Sequence, residues 1–224
     1  MKPRVIIHNA VSLDGRIDGF DVDMAQYYEL ASTWKEDATL VGCNTILKAE
    51  EQEEVPEEEE DVFEPPKTDP EDKRPLLVIP DSRGRIRIWH YIRKWPYWRK
   101  HIALCSKATP EEYLDYLKKR HIEFMIFGDE HVDLKTSLEE LNSKYKVNIV
   151  RVDSGGTLNG VLLGEGLVDE VSVLIHPDLV GGTSPLSIFG ASDPTSKEIK
   201  IKLKLSHLEN LKDDLVWLRY KVNK

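Results

Sequence analysis

An α/β fold with a mostly parallel central sheet, flanked by helices and finished by antiparallel C-terminal strands, is predicted by three features of the 224-residue sequence. Short, β-branched apolar runs alternate with stretches of helical spacing through most of the chain, which is the pattern of βα units. The last two apolar segments alternate with polar residues one by one, as half-exposed antiparallel strands do. Just before them, Val147 to Ile175 reads as strand, glycine turn, helix and strand in unbroken order.

The elements follow in sequence. Arg4 to Val11 is a strand that ends in the turn Ser12-Leu13-Asp14-Gly15. Asp23 to Lys35 has helical spacing, with Asp23 as N-cap and Met24, Tyr27, Tyr28 and Ala31 on the buried side. Ala38 to Val41 is a strand, followed by Gly42-Cys43-Asn44-Thr45 and a short helix through Leu47. Leu76 to Ile79 and Ile102 to Cys105 are buried strands. Thr109-Pro110-Glu111-Glu112 opens a helix to Arg120, with Thr109 as N-cap, Pro110 in the first turn and Glu112 closing a capping box. Ile122 to Phe127 is a strand, and Asp133 caps a helix to Tyr145. Val147 to Val152 is the strand before the glycine turn. Thr157 to Glu165 is a helix with Leu158, Val161 and Leu162 on one face, and Glu170 to Ile175 is the next strand. Lys200 to His207 and Leu215 to Val222 make the antiparallel end.

Length and a 40% hydrophobic content suffice for a full core, and no second core or repeat shows in the pattern. A single domain over 1–224 is therefore expected, with an acidic insertion loop at about 49–74. No apolar run approaches membrane-spanning length, and the N-terminal apolar stretch breaks at His8 and Asn9, as a strand rather than a signal peptide would. A cytoplasmic protein without a membrane partner is expected. Cys43 and Cys105 each end an apolar run, which suits buried free thiols and no structural metal. The formal charge is −9, but Glu50 to Glu64 holds ten acidic residues and no basic ones, so the remainder carries −9 + 10 = +1. Such a run, with Pro56 inside it, reads as a solvated, mobile loop.

Ligands of open α/β sheets bind beyond the carboxyl ends of the strands. Ser12 to Gly15, Gly42 to Thr45, Asp81-Ser82 and Asp153 to Thr157 all lie at such ends. Gly155-Gly156 removes the Cβ atoms that would hold a ligand off the backbone, and the following helix offers unpaired N–H groups and a positive dipole end, the makings of an anion site. The plainer reading of the glycine pair is a tight strand-to-helix turn. Gly42 to Thr45 repeats the combination of glycine, hydroxyl and helix start, and two such ends on one crevice would suit the two phosphates of a dinucleotide. Neither GxGxxG nor GxxxxGK[ST] is present.

SLDGRI, GCNTIL, DSRGR and DSGGTLNGVLLGEGLVDEVSVLIHPDLVGG, in that order, resemble the dihydrofolate-reductase-like reductase domain of riboflavin biosynthesis, and the last motif is the specific one. The resemblance covers nearly the whole chain. It implies a dihydrofolate-reductase-like fold and an NADPH-dependent reductase that converts the ribose ring of a ribosylamino-pyrimidine 5′-phosphate to a ribityl chain. It also implies that Val11, Thr45, Ser82, Gly155, Gly156, Thr157 and Leu158 lie along NADPH. Asp153 stands where the family usually has Glu beside the substrate, and Asn9 and Asp14 stand at the mouth of the substrate pocket. Hydride transfer asks the protein chiefly to hold donor and acceptor together and exclude water. Asp153 and Asp14 are then the catalytic candidates, to orient the acceptor or relay a proton. The alternatives are a turn-forming role for Asp14 and a capping role for Asp153. A homodimer is implied by the resemblance alone. One departure is that the DDP and arginine that commonly follow the GxxT helix are replaced by Lys48-Ala49-Glu50-Glu51.

Between Arg83 and His101, arginines, lysines and histidines interleave with Trp89, Tyr91, Trp95, Tyr97 and Trp98. Three roles fit: cover over the sheet, an arginine such as Arg83 or Arg85 on the cofactor 2′-phosphate, or stacking of single-stranded nucleic acid. The near-neutral body argues against nucleic acid. The rival functions are a same-fold reductase of another pterin-like or carbonyl substrate, and a non-catalytic nucleotide- or RNA-binding protein built on this patch.

Overall fold

A computed structural model describes residues 1–51, 54–67, 69–182, 186–190 and 200–223. These residues form two compact units, one of residues 1–3 and 37–148 and the other of 4–36 and 149–224.

The first unit carries the parallel strands β2 (Ala38–Val41), β3 (Leu76–Pro80), β4 (Lys100–Cys105) and β5 (Glu123–Ile126), paired in the order β5-β4-β3-β2. Leu76, Leu77, Val78 and Ile79 have no exposed surface, as expected of strands covered on both faces. The helices are α2 (Cys43–Glu50), α3 (Trp89–Ile92), α4 (Glu111–Lys119) and α5 (Leu134–Tyr145). Asp133 caps α5 by accepting from the Thr136 amide at 2.9 Å. Thr109 does not cap α4, whose N-cap is Pro110. The Thr109 hydroxyl accepts from the Ser106 amide and donates to the Ser82 carbonyl, both at 2.9 Å, so it ties two loops at the strand ends together. Glu112 pairs with Arg87 at 2.6 Å instead of closing a capping box.

The second unit holds β1 (Arg4–Ser12), β6 (Ile149–Asp153), β7 (Glu170–His176), β8 (Leu203–Asn210) and β9 (Val216–Val222) in the order β6-β1-β7-β9-β8. β1 is parallel to β6 and β7, and β9 is antiparallel to β7 and β8. This is the mostly parallel arrangement with an antiparallel C-terminal end that the sequence predicts. α1 (Met24–Ala31) is capped by Asp23, which accepts from the Gln26 amide at 2.9 Å. It stops at Ala31 and passes through a 3-10 turn, Ser32–Trp34, to Lys35 in the left-handed region at φ 48°. The buried stripe is Tyr27, Leu30, Ala31 and Trp34, an i, i+3, i+4, i+7 set, while Met24 and Tyr28 are about half exposed at 49% and 50%. α6 (Gly156–Gly164) likewise buries Leu158, Asn159 and Leu162 and exposes Val161; Asn159 on the buried face donates to Asn9 Oδ1 at 2.9 Å.

The acidic segment is not the mobile loop expected. Residues 54–64 lie against the first unit, with Val62 buried in a 3-10 turn, Glu60–Phe63. Glu58 takes two 2.6 Å hydrogen bonds from Arg120. Arg93 donates to the Val62 carbonyl at 2.8 Å, and Lys94 pairs with Glu59 at 2.9 Å. Positions 52, 53 and 68 of the expected insertion lie outside the described residues.

Candidate active site

Asp153 ends β6, two residues after Arg151 on the same side of the strand. Arg151 Nη1 donates to Asp153 Oδ2 at 2.9 Å, and Arg151 Nε donates to Glu36 Oε1 at 2.9 Å. Tyr27 Oη lies 2.8 Å from the His8 carbonyl and 3.2 Å from Asp153 Oδ1. Burial and the Asp153 charge push the Tyr27 phenol well above its ordinary pKa. His8 stacks on Tyr27 and meets Ser172 Oγ at 3.0 Å. Burial pulls the His8 imidazole down to about 4. Asp153 is therefore held at both oxygens, yet its side chain keeps 27% of its surface.

Immediately beyond Asp153, Gly155 is the N-cap of α6, and among the described residues no side chain caps the helix, whose first-turn N–H groups point out of its N-terminus. The two glycines differ. A Cβ on Gly155 would meet only Ile17 Cδ1 at 3.3 Å, whereas one on Gly156 would fall 2.4 Å from the Ser187 carbonyl oxygen and 2.8 Å from the Gly190 amide. The space beside Gly155 is open among the described residues, and the space beside Gly156 is filled by the chain's own backbone. Thr157 is exposed and Leu158 buried.

Of the residues expected at the pocket mouth, Asn9 is turned inward. Its Nδ2 donates to the Ser154 carbonyl at 2.8 Å and its Oδ1 accepts from Asn159 at 2.9 Å. Val11 is buried two residues further along β1. Asp14 is exposed and organises a turn: it accepts from Ser12 Oγ at 2.6 Å and from the amides of Val180 and Gly181 at 3.2 and 2.7 Å. Those bonds, Ser12 foremost, hold its carboxyl down at about 2.

In the first unit, Gly42 is the N-cap of α2 without a side-chain cap, and Thr45 is exposed in the first turn. Ser82 Oγ accepts from the Val132 amide at 3.0 Å. Arg83 is exposed, and Arg85 donates to Asn44 Oδ1 at 2.7 Å. Most of the basic and aromatic patch is structural. Trp89 is fully buried and donates to Tyr113 Oη at 2.9 Å, Trp95 and Trp98 pack on the same core, and Lys94 and Lys100 are ion-paired. Among the described residues no cluster of side chains could hold a metal ion, and no helix is long and apolar enough to cross a membrane.

The Arg151, Tyr27 and Glu36 support of Asp153 escapes sequence reading, although one signal was present: a lone arginine in the apolar strand IVRVD, spaced to share a face with the aspartate.

Parallel strands followed by helices without side-chain N-caps, one of them beside an anchored carboxylate, make an α/β protein of the class whose ligands bind beyond the strand ends. Residues 3–217 match the RibD C-terminal domain family, and the chain belongs to that family. It is 31% identical over 191 residues, 81% of this chain and 84% of the relative, to the 2,5-diamino-6-ribosylamino-4(3H)-pyrimidinone 5′-phosphate reductase of Archaeoglobus fulgidus. A pyrimidine reductase-like protein of Corynebacterium diphtheriae shares the fold at a TM-score of 0.72 and 18% identity, over 99% of this chain and 92% of that one. The RibD protein of Acinetobacter baumannii shares it at 0.68 and 21% identity over 99% of this chain, which spans 58% of that longer one.

Proposed function

We propose that the protein is a cytoplasmic reductase of riboflavin biosynthesis that uses NADPH to convert the ribosylamino-pyrimidine 5′-phosphate to its ribitylamino form, acting as one reductase domain over 1–224. The observation that carries this reading is the uncapped N-terminus of α6 at Gly155, directly beyond the anchored Asp153. The relatives named as reductases of that pyrimidinone phosphate support the substrate class. NADPH, when bound, supplies the hydride.

The α6 amides after Gly155, with Gly156, Thr157, Leu158 and Val11, serve the cofactor in the second unit; Thr45, Ser82 and Arg83 are the contacts proposed in the first. A cofactor diphosphate is favoured at Gly155 because the first-turn N–H groups and the dipole of α6 would meet it there without a capping side chain. The Asp153 carboxylate orients the acceptor's hydroxyl groups or takes a proton from them. Asp14 shapes the pocket mouth by fixing the Val180–Gly181 turn, and Asn9 fixes the start of α6 through Ser154 and Asn159. The exposed Leu203, Leu205 and Leu208 on edge strand β8 support a homodimer.

A second reading, a same-fold reductase of an unphosphorylated substrate, rests on Lys48-Ala49-Glu50-Glu51 at the end of α2, where the acidic side chains disfavour a phosphate. Loss of NADPH absorbance across a panel of phosphorylated and dephosphorylated ribosylamino-pyrimidines, pterins and simple carbonyls decides between them. Turnover of the phosphorylated pyrimidine alone is the expected result. A preference for the dephosphorylated compound overturns the first reading.

A further inference from the structure

Arg151 has one surrounding that packing does not explain. It lies between Val150 and Val152 in a strand covered on both sides, and its side chain is only 5% exposed. A guanidinium there costs desolvation, and an apolar residue of similar volume usually serves such a strand as well or better. Its contacts are directional. Nε meets Glu36 Oε1 and Nη1 meets Asp153 Oδ2, both at 2.9 Å, so the planar group is fixed by one carboxylate and presents a donor to the other. The remaining oxygen of Asp153 lies 3.2 Å from Tyr27 Oη, whose single proton is shared between it and the His8 carbonyl at 2.8 Å.

We infer that Arg151, backed by Glu36, is a positioning residue that fixes the orientation of the Asp153 carboxylate for the reduction, with Tyr27 bracing the other oxygen. This rests on the reading that Asp153 borders the acceptor. An aspartate at a strand end can rotate about its χ torsions. With both oxygens held, the carboxylate offers the acceptor only its outward lone pairs, and that order is set before substrate arrives. Lysine cannot replace the arginine, because one ammonium on a flexible stem does not present two fixed donors to two carboxylates. Among the described residues, the charged and titratable groups that face this carboxylate are Arg151 on β6, Tyr27 on α1 and His8 on β1; Glu36, beyond the 3-10 turn, backs Arg151, and Arg219 on β9, paired with Glu170 at 2.6 Å, acts on His8.

The test compares Arg151→Lys, Arg151→Met and Asp153→Asn for melting temperature, NADPH affinity by calorimetry, kcat and KM. Both Arg151 variants should bind NADPH within about threefold of wild type and lose about tenfold or more in kcat, the scale of a misplaced acid–base group. KM for the pyrimidine should change less than kcat in both variants, because the residue orients a reacting group and does not hold the substrate. A purely structural arginine would lower the melting temperature and leave kcat unmoved, and that outcome overturns the inference. If the Met variant does not fold, Arg151→Lys decides alone, and wild-type kcat in it overturns the inference. Wild-type kcat in Asp153→Asn would instead sink the Asp153 role and this inference with it. Loss in Asp153→Asn together with active Arg151 variants sinks the inference alone.

Discussion

The Gly190 amide donates to the Gly156 carbonyl oxygen at 2.9 Å, and this backbone contact sets what each half of the glycine pair does. Gly156 is glycine because Ser187 and Gly190 press against it, and Gly155 is the one left open.

Valine at the two positions should therefore behave differently. Gly155→Val should keep its melting temperature within a few degrees, since Ile17 Cδ1 is the far end of a flexible side chain and can give way, and should weaken NADPH binding at least tenfold by standing over the α6 amides. Gly156→Val should lose on the order of 2 kcal/mol or more of stability through a clash with backbone. Thermal unfolding and calorimetry on the pair check both; normal NADPH binding by a folded Gly155→Val would remove the anion site.

Replacing residues 54–64 with a short Gly/Ser linker should destabilise the protein. Val62 loses its burial, and the partly buried Arg93 and Arg120 lose a carbonyl and a carboxylate partner. A loss on the order of 3 kcal/mol is expected, which corresponds to a drop of roughly 6–12 °C in a chain of this size. An unchanged melting temperature would show that these contacts contribute nothing.

The sequence made most of the strands legible, because buried β-branched runs such as Leu76 to Ile79 leave little choice, and the Asp23 and Asp133 caps are local chemistry that the fold keeps. Features decided by tertiary partners were not legible. α3 spans only Trp89–Ile92, too short for helical periodicity to emerge from the basic and aromatic patch. Thr109 has a good capping sequence but its hydroxyl is taken by Ser106 and Ser82. The acidic segment looked solvated because its partners, Arg93, Lys94 and Arg120, lie roughly thirty or more residues away in sequence. At the site, the glycine turn and Asp153 could be read directly, whereas the Arg151 and Tyr27 support joins separate elements and has no local signature beyond the lone arginine.

Cofactor preference should rest on Arg83. Arg83→Ala should weaken NADPH by roughly one to two powers of ten, matching about 1.5–3 kcal/mol for a charge-assisted contact, and leave NADH unchanged. Equal losses for the two cofactors in calorimetry would remove Arg83 from the 2′-phosphate.

Stability should fall in mild acid. Burial holds His8 neutral in the fold down to about 4, while the unfolded chain takes up that proton near 6.5. The unfolded state therefore binds more protons between those values, and stability drops as pH falls from about 6.5 to about 4, by up to roughly 3 kcal/mol from this residue. His101, also pulled to about 4 by burial, adds a fall of the same sign. Urea unfolding of His8→Gln at pH 7 and 4.5 should show a smaller difference between the two pH values than wild type; an unchanged difference would exclude His8 as a source.

The central claim is that this chain delivers hydride from NADPH to the ribosylamino-pyrimidine phosphate. Incubation of the two with enzyme, using NADPH deuterated at the transferring carbon, followed by mass spectrometry of the pyrimidine product, tests it most directly. The account predicts a product heavier than substrate by one hydrogen and one deuterium, formed in step with cofactor oxidation and suppressed by roughly 10²-fold in Asp153→Asn. Pyrimidine recovered unchanged, from enzyme shown by calorimetry to bind NADPH, would contradict it.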